Sequence, residues 1–162
     1  MNKRFFKEVG RTLNLMGQLA GAYAAACILA GVACSLPGDD ISNERAREIL
    51  KQEQQTFYLK DKKINLDFVP LSNLPSGIEG ATYSSSGEYY IVAPDRWTDK
   101  KAFLHEIAHT IVRSPSQETF TLDFKKLEEE LKNISATKIV SYILSPRELF
   151  CNLYGIAKSY KY

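Results

Sequence analysis

The stretch His105-Glu106-Ile107-Ala108-His109 constrains this chain more than any other. Two imidazoles four residues apart stand one turn above each other on a helix and can reach a single metal ion from one face. Glu106 then lies beside the ion rather than on it. A zinc ion lowers the pKa of a bound water to about 7, and an adjacent carboxylate can take the proton as that water attacks a carbonyl. The flanking residues suit the helix this requires. Thr98 or Asp99 can cap it, Phe103, Ile107 and Ile111 form an apolar stripe with Leu104 and Ala108, and Ser114-Pro115 ends it. His105 and His109 are also the only histidines in the 162 residues.

A catalytic zinc takes three protein ligands and keeps one position open, so a further side chain has to join the pair. With no third histidine, the ligand expected is a carboxylate. Glu148 is the first choice, because Ser145-Pro146-Arg147-Glu148 reads as a capped helix start, with apolar Leu149, Leu153, Ile156 and Ala157 on another face. Glu118 and Asp123 are the alternatives. Asn152 follows Glu148 by one turn, and its amide oxygen is expected to accept the free ring N–H of a zinc-bound histidine.

His105-Glu106-x-x-His109 followed by a glutamate on a later helix resembles the gluzincin arrangement. Ser141-Tyr142-Ile143-Leu144-Ser145-Pro146-Arg147-Glu148-Leu149-Phe150-Cys151 looks like the segment that holds the third ligand in anthrax lethal-factor-like peptidase domains. The resemblance runs from about Gly80 to Tyr160, and it implies a small zincin-like fold, zinc as cofactor and a peptide or protein substrate. It also implies that Tyr142 stabilises the oxyanion of the tetrahedral intermediate. The sequence departs from the pattern in a Tyr-to-Glu gap one residue short, in Cys151 where alanine is common, and in Asn152 where an acid is common. Glu148-x-x-Cys151-Asn152-x-Tyr154 is also similar to a pattern in the intracellular peptidases that cleave phage-type repressors. A zinc-binding surface lipoprotein without turnover is the reading from a different class, and the intact Glu106 argues against it.

The amino terminus has a separate character. Lys3, Arg4, Lys7 and Arg11 precede a stretch from Thr12 to Pro37 that carries no charge and is rich in Leu, Ala and Gly, the layout of a secretory signal. Gly31-Val32-Ala33 offers small residues for a signal peptidase, and Cys34 is a candidate for lipid attachment. Retention as a membrane anchor is the third fate, since about 20 apolar residues cross a bilayer. Each fate places the remainder outside the cytoplasm, secreted or membrane-anchored. A buried amino-terminal helix is the alternative to all three. Residues 1–37 are thus expected to be leader or anchor plus linker, and residues 38–162 the metallopeptidase domain.

A content of 44% hydrophobic and 25% charged residues is that of a globular protein, and the net charge of +2 is too small and too dispersed to suggest nucleic acid. Three cysteines do not build a disulfide framework, so core and metal have to hold the domain together. The expected class is α+β. Ser42 opens a backing helix reaching about Phe57, Ile64 to Val69 alternates as a half-buried strand, and two strands around Gly80–Tyr83 and Glu88–Ala93 flank a Ser84-Ser85-Ser86-Gly87 turn. Such a hairpin, directly before the metal helix, offers an edge for an extended peptide. A further helix is expected over Leu122–Leu131, and the last helix continues through Tyr160.

Overall fold

The computed structural model describes residues 3–75, 78–95, 97–117, 125, 129 and 132–162, with side chains from residue 11 onward apart from that of residue 97. In chain order these form α1 (Lys3–Ser35), β1 (Asp40–Ser42), α2 (Asn43–Glu53), β2 (Ile64–Val69), β3 (Ala81–Ser85), β4 (Glu88–Pro94), β5 (Trp97–Asp99), α3 (Lys100–Val112), α4 (Ala136–Ile143) and α5 (Pro146–Ser159). The protein is mixed α+β, mostly helical with small sheets. The helix expected over Leu122–Leu131 lies largely outside the described residues.

Capping side chains set the helix starts. Ser42 accepts from the Arg45 amide, Asp99 from Ala102 and Ser145 from Arg147, each satisfying an amide the helix leaves without a partner. The backing helix α2 is shorter than expected and stops at Glu53. There the Thr56 hydroxyl donates to the Glu53 carbonyl at 2.6 Å, a side-chain bond that competes with continuing the helix.

The main sheet runs β2-β4-β3, with β2 parallel and β3 antiparallel to the central β4. The β3–β4 turn contracts to Ser86-Gly87, both at positive φ (52° and 81°), because that geometry matches the twist of the flanking strands and Gly87 adopts it without strain. β2 and β3 are the two edge strands of this sheet. A second, two-stranded ladder joins β1 to β5, with Asp40 opposite Asp99.

Ile49 of α2, Leu59, Ile91 of β4, and Phe103, Leu104 and Ile107 of α3 are fully buried and form one cluster between sheet and helices. Burying a side chain of this kind contributes about 1.5–3 kcal/mol, so α3 is held chiefly by its apolar face. On its other side α3 packs against α5. The two come closest at Gly155, where a β-carbon would lie 2.7 Å from the Lys101 carbonyl oxygen and 3.5 Å from His105 Cβ. Only glycine permits that approach.

α1 buries a single stripe, Cys27, Ala30 and Cys34, against α5, while Leu13, Met16, Leu19, Leu29 and Val32 stay exposed. Its last carbonyls find a cation from another helix: Lys101 Nζ donates to Ala33 O at 3.1 Å and to Leu36 O at 2.5 Å. The segment Arg11–Ser35 is long and apolar enough to cross a membrane, a property that signal sequences share.

Candidate metal centre

The four-residue spacing on α3 and the first turn of α5 bring His105, His109 and Glu148 together, their ligating atoms all within 4.8 Å of one another. Glu148 Oε2 lies 3.4 Å from His105 Nε2 and 3.6 Å from His109 Nε2. Donors about 2.1 Å from one tetrahedral ion stand about 3.4 Å apart, so two nitrogens and one oxygen at this spacing fit a metal. Glu148 is 4% exposed and His109 3% exposed, which leaves the carboxylate little water to lean on. The alternatives Glu118 and Asp123 lie outside the described residues.

The electrostatics are those of a site that shares charge. Burial raises the Glu148 pKa, but the His105 hydrogen bond, the His109 charge and the Tyr142 hydroxyl outweigh it and hold the carboxyl below its ordinary value. Desolvation disfavours a proton on His105, yet Cys34, Glu148 and Glu106 prevail and push that ring up to about 10. His109 goes the other way, driven by burial to about 4. One imidazole thus stands ready as a neutral ligand, while the other holds a proton that a metal cation would displace.

Glu106 points from the same helix toward β3, where the Thr82 hydroxyl donates to its Oε2 at 2.6 Å. Burial raises the Glu106 pKa, opposed by His105, Thr82 and Arg113. The Arg113 guanidinium also donates to the Thr82 carbonyl at 3.2 Å, tying the end of α3 to β3. Tyr142, near the end of α4, is half-exposed, and Glu148 lies beside its hydroxyl; burial of that hydroxyl and the carboxylate together raise its pKa.

Asn152 does not take the place expected of it. Its amide nitrogen faces α1, 3.7 Å from where a β-carbon on Gly31 would stand. The neighbour of the His109 ring is instead Cys151, with Sγ 3.4 Å from Nδ1. Burial and then Glu148 push the Cys151 thiol up to about 12, so it stays protonated and can accept from Nδ1–H when Nε2 faces the metal. Among the described residues His105 Nδ1 is buried without a hydrogen-bond partner, and the buried thiol of Cys34 lies beside that ring. Thr82, Cys151 and Cys34 have no local signature: each meets α3 from a distant point in the chain. The one hint is that Cys151 shares a helix with Glu148.

No family model, characterised protein or solved structure matches this chain.

Proposed function

We propose that this protein is a zinc-dependent peptidase of the gluzincin kind, with His105, His109 and Glu148 holding the metal. The observation that carries the reading is the convergence of these three side chains from two helices, with the unspent carboxylate of Glu106 alongside. A purely structural zinc has no use for that carboxylate and is usually closed by four protein ligands. Zinc is favoured over a harder ion because two imidazoles dominate the donor set. When bound there, zinc supplies a water acidified to a pKa of about 7 and a Lewis acid for the scissile carbonyl.

The remaining steps belong to the chain. Glu106 accepts the proton of the attacking water and returns it to the departing amine. Thr82 holds the Glu106 carboxylate in place by its 2.6 Å hydrogen bond. Tyr142, whose raised pKa keeps it a donor at neutral pH, gives a hydrogen bond to the carbonyl oxygen as charge gathers there. Of the two edge strands, β3 lies against α3 and offers main-chain groups for a substrate in extended conformation.

Glu106→Gln tests the assignment. Zinc content should be unchanged and cleavage of a peptide library reduced by about 10²–10⁴-fold, the contribution of a general base. Loss of zinc in that variant would remove Glu106 from the role of base. Failure of the wild-type, zinc-loaded chain to cut any peptide in the library would remove the enzyme reading.

A further inference from the structure

Arg113 closes α3 in extended conformation (φ −104°, ψ 145°), and its main chain is engaged on both sides: the amide donates to the His109 carbonyl at 3.1 Å and the carbonyl accepts from the Tyr89 hydroxyl. Its side chain is far less committed. The guanidinium is half-buried, and among the described residues it makes one hydrogen bond, to the Thr82 carbonyl, of the several it can donate. No described carboxylate pairs with it. A cation held partly out of water is ordinarily matched by an acid.

The place of that single hydrogen bond decides what such an acid would belong to. Ser85 and Glu88 close the Ser86-Gly87 turn, so in the alternating antiparallel ladder Ala81, Tyr83 and Ser85 spend their main-chain groups on β4. Thr82 and Ser84 direct theirs to the outer edge. The Arg113 guanidinium, bound to the Thr82 carbonyl, therefore stands in the path of a strand added to β3. Thr82 also holds Glu106 through its hydroxyl at 2.6 Å, so a single residue separates the guanidinium from the proposed base. The charges agree with this placement. Burial raises the pKa of Glu106, of the Tyr142 hydroxyl and of the Cys151 thiol, and at each the Arg113 charge pulls the other way. Since an extended chain advances about 3.3 Å per residue, Arg113 lies within about two residues of the point where Glu106 acts.

We propose that Arg113 determines specificity by receiving a carboxylate of the substrate, on an acidic side chain or at the chain terminus, within about two residues of the cleaved bond. The planar fork of arginine meets a carboxylate in two parallel hydrogen bonds, a match that lysine does not reproduce. Resting on the peptidase reading, this assigns the substrate class as polypeptides with an acid next to the scissile bond.

The test uses the full zinc-loaded chain and an alanine-based peptide set that carries Glu or Gln at each position in turn, with the carboxy terminus free or amidated. The wild type should cut the carboxylate-bearing member of one pair at least about tenfold faster in kcat/KM, the scale of a hydrogen bond between charged groups. Arg113→Gln should bring that ratio to about one, and Arg113→Lys, which keeps the charge, should retain a smaller preference than wild type. A residue that merely braces Thr82 would instead slow both members of the pair alike. Binding of the same peptides to Glu106→Gln, followed by calorimetry, needs no turnover and should show the same preference, lost when Arg113→Gln is added. Dependence on an internal Glu or on the free terminus tells which carboxylate is received. Equal handling of all members, absence of binding included, or a preference that survives Arg113→Gln, overturns the role of Arg113. Binding preference without any cleavage by the wild type keeps that role and loses the enzyme, and cleavage without a carboxylate preference does the reverse.

Discussion

Glu53 and Glu148 are both buried helical carboxylates, and their surroundings differ in one respect that separates architecture from chemistry. Glu53, at the end of α2, is fully buried and is met by permanent donors. Lys158 Nζ reaches its two oxygens at 2.8 and 3.0 Å, Lys161 lies 3.5 Å away, and the hydroxyls of Tyr154 and Tyr162 both donate to it. Glu148 is nearly as buried, but among the described residues its ion-pair partners are the two imidazoles alone. A carboxylate already matched by ammonium groups and hydroxyls has its burial penalty offset by those partners and leaves no place for a metal. One that faces rings able to give up their protons gains a full cation when a metal arrives. Glu53 ties the carboxy-terminal helix and tail to α2, whereas Glu148 faces the two imidazoles with which it could hold an ion.

Replacing each carboxylate by its amide should pull the two regions apart. The largest effect is expected for Glu148→Gln. Zinc affinity measured by competition with a chelator should fall by more than about 100-fold, beyond what loss of a supporting hydrogen bond costs. Retention of zinc in this variant would place the ligand elsewhere. Glu53→Gln should leave zinc stoichiometry alone and lower stability by about 2 kcal/mol, the range of hydrogen bonds to charged groups, seen as a lower midpoint in urea. Its pH dependence has a definite sign. Despite burial, the lysine and tyrosine contacts hold the Glu53 pKa below its ordinary value. Its stabilisation is therefore complete above about pH 4.5 and disappears as pH falls through the lower folded value, so wild type and variant should converge in acid.

Smaller effects sharpen the comparison. With His105 pushed up to about 10 and His109 down to about 4, a single proton competes with the metal at neutral pH. Apparent zinc affinity should then climb about tenfold per unit between about pH 5 and 9. A hundredfold slope would show both rings protonated and would contradict the asymmetry. Least affected should be Cys151→Ala, which removes the group beside His109 Nδ1 and should weaken zinc by about tenfold, the low end for a supporting contact.

What could be read from the residues followed their range of interaction. α3 and α5 carry their caps and apolar stripes within a few positions, and β2 alternates along its length, so each was legible in isolation. The His105, His109 and Glu148 set was legible because two spacings on helices and one capped helix start point inward. The β1–β5 ladder was not, since three-residue strands hold no alternation to detect. α4 escaped for a related reason: eight residues with one cap give a weak period, and no burial reinforces it. Nor does local pattern encode that β2 runs parallel to β4, or that Thr82 meets Glu106 across 24 positions. The expected place of Asn152 followed from helix spacing alone, and the packing of α1 against α5 decides otherwise.

Asp99 links the two ends of this design. One of its oxygens caps the helix that bears the histidines, by way of the Ala102 amide at 2.9 Å, and the other receives the Gly38 amide at 2.5 Å, just beyond the end of α1. Lys101, two residues on, grips the final carbonyls of α1. Mechanical load applied to α1 therefore arrives first at the opening turn of α3.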